Sequence, residues 1–142
     1  MATSNAATTY LENKLLAYIF KNDSGSFSSP GDSIYVGLAT AVSDAEAGTL
    51  TEANFGAYAR QQVTAANWTL ANSSTDTQTI TNANNIEYSA STGTNNTVTH
   101  AFIADAASSG NILFVGALDA SKTIETGDIF RINAGNLTIE LK

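Results

Sequence analysis

The stretch GNILFVGALDASKTIETGDIFRINAGNLTIEL, residues 110–141, constrains this chain most strongly. It is a succession of short apolar runs, each closed within a few residues by Gly, Asn, Asp or Ser, which is the pattern of strands joined by tight turns. The pattern reaches back to about residue 33. In SIYVGLAT, Ile34, Val36 and Leu38 share one strand face and Tyr35, Gly37 and Ala39 the other, so both faces invite cover. ILFVGAL is likewise apolar on both sides, with Ile112, Phe114 and Leu118 opposing Leu113, Val115 and Ala117. The last strand alternates, Leu137, Ile139 and Leu141 inward against Thr138 and Glu140 outward. AASSGN predicts a hairpin between TVTHAFIAD and ILFVGAL, and DASKTIETGD predicts a further turn. The Asn/Thr/Ser-rich middle reads as short exposed strands and loops around Ile80, Ile86 and Tyr88.

A single helical pattern precedes these strands. Leu11, Leu15, Tyr18 and Ile19 recur at i, i+4, i+7 and i+8 and define an amphipathic helix over residues 9–21. Thr9 and Glu12 have capping-box spacing, and Lys21 suits the negative end of the helix dipole. DSGSFSSPGD, with the lone Pro30, stops the helix. One helix cannot supply the crossovers of a parallel sheet, and no fixed-period repeat supports a solenoid. The expected fold is mainly β: a single domain, residues 1–142, built as an antiparallel β-sandwich or jelly-roll-like barrel with one N-terminal α-helix. Residues 1–8 are expected to be a flexible arm, 9–21 the helix and 33–142 the strands.

Charge narrows the function classes. Thirteen acidic against six basic residues give a net charge of −7. That balance disfavours nucleic acid, which needs a cationic stripe to displace counterions, and equally an anionic membrane surface. Charged residues make up 13% of the chain, about half the usual share of roughly 25%. Ser, Thr and Asn take their place on the surface. With no cysteine there is no disulfide, thiolate nucleophile or cysteine-bound zinc. MATSNAATTY lacks the basic and apolar regions of a secretory leader, so synthesis in a host cytoplasm is expected.

Reactive constellations are sparse. His100 is the single histidine, and plain strand alternation places it on the face of Val98 and Phe102, where a packed side chain is expected. No Gly-x-Ser-x-Gly elbow accompanies it, so no catalytic residue is assigned. The loop SDAEAGTLTE offers Asp44, Glu46 and Glu52, the carboxylates a hard cation would favour, but without EF-hand spacing. A solvated loop is the expectation there, and no metal or cofactor is assigned. Asn-x-Ser/Thr triplets at Asn22, Asn67, Asn72, Asn95 and Asn136 follow from the composition. The glycines Gly116, Gly127 and Gly135 read as sheet punctuation rather than a phosphate cradle.

Taken in order, YLENKLLAYIF, IYVGLAT, the acidic loop ending in Thr51-Glu52, the Tyr58–Arg60 triplet YAR, Trp68 and the C-terminal segment with GDIFRINAGNL from Gly127 to Leu137 resemble a family of small tailed-phage virion proteins. The resemblance spans most of the chain outside its polar middle. It implies a β-rich structural component of the particle, either a capsid decoration (cement) protein or a tail-fibre-like protein. Without shaft repeats or heptads, the chain is expected to be a non-enzymatic decoration protein on the outer surface of the virion's capsid. Its expected partner is the phage major capsid protein, and the expected assembly a homo-oligomer, a trimer, because lattice three-folds invite one. The alternatives are a tail-associated protein that recognises host carbohydrate and a glycan-degrading enzyme on the same scaffold.

Overall fold

The computed structural model describes residues 5–23, 31–71 and 78–141. In chain order these carry β1 (Ala6–Ala7), α1 (Thr9–Lys21), β2 (Tyr35–Asp44), β3 (Thr49–Glu52), β4 (Gln61–Gln62), a 3-10 turn (Ala65–Asn67), β5 (Trp68–Ala71), β6 (Gln78–Asn82), β7 (Ile86–Glu87), β8 (Asn96–Ala104), β9 (Ile112–Ile124), β10 (Arg131–Ile132) and β11 (Thr138–Leu141). The fold is mainly antiparallel β with one helix near the N-terminus, as the strand periodicity predicts.

The main sheet runs β1-β9-β8-β2-β3, with β4 also pairing to β2. Its long strands are the apolar two-faced segments, and both faces are indeed covered. Val36 and Leu38 of β2 lie in one core with Phe55, Tyr88, Val98 and Ile124. Ala39 lies across the sheet from them, with Phe102, Ala104 and Val115. Gly37 explains itself in this second core: a Cβ there would be driven into the Phe102 ring, so glycine is what lets the aromatic lie flat on β2. The first core is roofed by loops and by an aromatic row. Phe55 meets Tyr58 edge-on at 5.2 Å, Tyr58 stacks on Tyr88 at 5.9 Å, and Tyr88 meets Phe130 edge-on at 5.8 Å. Each such pair adds roughly 0.5–1.5 kcal/mol beyond the area it buries.

Two smaller sheets flank this body, β11-β6-β5 and β10-β7. The polar middle therefore does form strands around Ile80 and Ile86, and its residues 72–77 lie outside the described residues. Asn82 joins it to the C-terminal segment. Its Oδ1 accepts from Leu137 N at 2.9 Å, while Nδ2 donates to the carbonyls of Asn84 at 2.8 Å and Asn133 at 2.9 Å. Asn96 works similarly at the start of β8, where its Oδ1 accepts from the amides of Asn54 at 2.7 Å and Phe55 at 3.0 Å. Buried amides fully used in this way hold loops that have no ladder of their own.

Several expectations are corrected. Thr8, not Thr9, is the N-cap: its hydroxyl accepts from Leu11 N at 3.4 Å and donates to the Ile112 carbonyl at 2.6 Å. The tether to β9 decides where the helix begins. Residues 5–8, expected to belong to a flexible arm, are pinned, since Ala6–Ala7 pair with β9 and Thr8 is buried. Residues 1–4 lie outside the described residues. Val98 and Phe102 fall on opposite faces, because the register shifts between Val98 and His100 and resets the alternation. DASKTIETGD does not turn throughout: Asp119–Ile124 continue β9 and pair back to β8, and the turn begins at Glu125. There Asp128 Oδ2 accepts from Glu125 N at 2.9 Å, and Gly127 takes a φ of +93°. The last strand keeps its alternation, but Leu141 is exposed rather than inward.

Candidate functional site

The segments that carry the family resemblance, Thr51-Glu52 and Tyr58–Arg60, meet in space. β3 delivers Glu52, and the turn after Phe55 brings Tyr58 and Arg60 back beside it. The Arg60 guanidinium forks onto the carboxylate, Nε to Oε1 and NH2 to Oε2, each at 2.8 Å. Its NH1 donates to the carbonyls of Ala106 at 2.9 Å and Ser109 at 2.8 Å, closing the β8–β9 hairpin loop. The plane of the same group lies 5.0 Å from the centre of the Phe102 ring. Tyr58 completes the cluster, its hydroxyl donating to Glu52 Oε1 at 2.8 Å and accepting from Leu38 N at 2.9 Å.

The electrostatics are those of a clamp. Burial by itself would raise the Glu52 carboxyl, but hydrogen bonds from Arg60 and Tyr58 and the guanidinium charge carry it below the ordinary glutamate range. The hydrogen bond to Glu52 raises Arg60, more than offsetting the burial that opposes it. Burial pushes the Tyr58 phenol well above its usual value, and the neighbouring carboxylate adds to the effect against the Leu38 amide. Tyr88 is raised by burial too, and its hydroxyl donates to the Val36 carbonyl at 2.9 Å. A carboxylate held ionised between a fixed cation and a neutral phenol organises structure; a general acid or base works best with a pKa near the operating pH.

The acidic loop does not gather its three carboxylates. Glu52 faces Arg60, Asp44 Oδ1 accepts from Ala47 N at 3.2 Å within the β2–β3 turn, and the Glu46 backbone carbonyl accepts from Thr9 N at 2.7 Å. Among the described residues, no three His, Cys, Asp or Glu side chains are placed to hold a metal ion. His100 is half-buried in the second face, its Nδ1 2.8 Å from the Thr99 hydroxyl.

Two shallow clefts open on the surface. One, of about 250 Å³, is lined by the amides of Gln61, Gln62, Asn67, Asn84 and Asn85 with Glu87 at its edge. The other, of about 400 Å³, lies between the end of β9 and the Asp128–Asn133 segment. The amide cleft is braced internally: Asn84 Nδ2 donates to Asn67 Oδ1 at 2.7 Å, and Glu87 is paired with Arg131.

Residues 6–140 match the family described as podophage GP4 fiber I protein gp80. The chain belongs to that family. No curated protein matches it. The family is one of phage virion structural proteins of the fibre type, which agrees with the resemblance carried by the Glu52–Arg60 region and the C-terminal segment. The fibre-family clamp residues were visible in the sequence as motifs, without any sign that they touch. Asn82 and Thr8 gave no signal at all, because one polar residue among many similar ones carries no periodicity.

The helix holds the other unexpected feature. The side of α1 that is partly covered carries Leu11, Lys14 and Ala17. Leu15, Tyr18 and Ile19, expected to pack inward with Leu11, are exposed, and no residue of the helix is buried. Among the described residues no helix is long and apolar enough to cross a membrane.

Proposed function

We propose that this chain is a non-enzymatic, tail-associated fibre component of a podophage virion, whose β-rich body is displayed outward and contacts carbohydrate on the host surface. The match of residues 6–140 to a fibre protein family carries this reading. The cleft lined by Gln61, Gln62, Asn67, Asn84 and Asn85 supports it, because primary amides both donate and accept and so complement sugar hydroxyls. Asn84 Oδ1, Asn85 Nδ2 and the Gln61 and Gln62 carbonyl oxygens are the atoms of that set offered to a ligand.

A second reading, a decoration protein on the outer capsid surface bound to the major capsid protein, is favoured by one observation: the chain carries no shaft repeat or heptad array. Such a protein stabilises the expanded lattice by binding it in preference to other states.

Copy number separates the two. Quantitative mass spectrometry of purified virions is expected to find this chain at a few per cent of the major capsid protein or less. A ratio within a few-fold of unity would establish the decoration reading instead.

A further inference from the structure

Helix α1 presents its apolar side to solvent. Leu15, Leu16, Ile19 and Phe20 are 39%, 55%, 57% and 77% exposed, in a chain whose other large exposed apolar residues outside the helix, Leu70, Ile129 and Leu141, lie in separate strands and loops. The spacing i, i+1, i+4, i+5 sets these four side chains in two parallel rows, Leu15–Ile19 and Leu16–Phe20, along the side of the helix away from Leu11, Lys14 and Ala17. Only Glu12 adds a charge to that side, one turn before the patch.

Nothing within the chain accounts for this helix being stable. Isolated helices of fewer than about 12–15 residues are marginal in water, and most helices in proteins owe their stability to a packed face. α1 has 13 residues and buries none of them. Its attachment is at one end, through Thr8 to the Ile112 carbonyl and Thr8 N to the Leu113 carbonyl. A helix anchored only at its start and apolar on its free side is built to be covered.

We infer that the covering surface is the same face of α1 in further copies of this chain, so that α1 is the self-association element. Rows at i and i+4 on both partners interdigitate in the commonest helix-packing class, which makes the face complementary to itself. The area suffices. With roughly 150–250 Å² per aromatic side chain and somewhat less per aliphatic one, the exposed parts of these residues and Tyr18 form a patch on the order of 500 Å². Two such patches remove about 1,000 Å² from water, the lower bound for a specific interface. Charge agrees: the helix carries Glu12 against Lys14 and Lys21, so pairing α1 segments does not concentrate the acidity that gives the chain its net charge of −7. The inference holds for a tail or a capsid location.

Sedimentation velocity of the full chain at micromolar concentration tests it, against Leu16→Gln/Ile19→Gln. Glutamine keeps helix propensity, and both sites are exposed, so the β body and its melting are expected to be unchanged. Wild type is expected to sediment as a defined oligomer and the double variant as a monomer, with association weakened about a hundredfold or more. A monomeric wild type would overturn the inference, as would an oligomer that the double substitution leaves intact. Should the variant lose helical circular dichroism as well, Phe20→Ala, which preserves the helix, decides: weakened association supports the α1 interface, and unchanged association overturns it.

Discussion

Arg60 grips Glu52 through two parallel 2.8 Å hydrogen bonds while its remaining nitrogen ties down the Ala106 and Ser109 carbonyls. One side chain thereby joins β3, the Tyr58 turn and the β8–β9 loop, and its guanidinium covers Phe102. Arg60→Ala is expected to lower stability by about 2–3 kcal/mol, below the roughly 3–5 of a fully buried pair because Glu52 keeps some contact with water. For a domain of this size that is about 5–10 °C in melting temperature. Arg60→Lys is expected to recover little, since an ammonium cannot fork onto a carboxylate and two carbonyls at once. Thermal melts of the three proteins check both statements; a lysine variant as stable as wild type would refute the planar-fork account.

The same pair sets an acid limit. Glu52 has a lowered pKa in the folded chain, so its contribution to stability is fully present above the unfolded value near 4.5 and is lost as pH falls through the lowered folded value. Stability is therefore expected to decline below about pH 4.5 more steeply in wild type than in Glu52→Gln, which starts less stable. Tyr58 acts at the other extreme. Its raised pKa means that the neutral phenol is favoured by folding, a contribution complete below the unfolded value of 10.0 and lost as pH rises above it. Tyr58→Phe is expected to flatten the alkaline side. Denaturant unfolding at stepped pH reads out both slopes.

Asn82 is expected to be the costliest polar position. It is 1% exposed and satisfies one amide and two carbonyls of segments that have no other ladder at that point. Asn82→Ala strands these groups and is expected to cost about 3 kcal/mol. Asn82→Asp keeps the acceptor for Leu137 N but loses both donors and buries a charge, so it is expected to be no better. Hydrogen exchange checks the location of the damage, with protection lost first at Leu137 and the β6–β11 pairing.

Some of this architecture was legible in the sequence and some was not, for physical reasons. Periodicity reports which residues share a face, and so the helix over Thr9–Lys21 and the two-sided β2 were readable. It does not report what covers a face. The exposed Leu15, Tyr18 and Ile19 could not be told from a packed stripe. A shift of register leaves no mark either, which is why Val98 and Phe102 seemed to be neighbours. The clamp was legible as two short motifs, while its geometry depends on a turn whose residue Ala57 takes a φ of +68° without being glycine.

Thr8 links the helix to the sheet, and its loss is expected to separate the two. The hydroxyl donates to the Ile112 carbonyl at 2.6 Å and caps Leu11 N at 3.4 Å, so Thr8→Val, nearly isosteric, removes the cap and leaves a buried carbonyl short of a donor. A lost N-cap costs about 0.5–2 kcal/mol, and a helix with no buried residue has little else to offset that. The expected outcome is a selective loss of helical circular dichroism below the melting temperature of the β body. Because the self-associating face belongs to the same helix, the variant is also expected to dissociate at higher concentration than wild type. Retained helicity with unchanged association would show that the Ile112 and Leu11 hydrogen bonds are dispensable for α1.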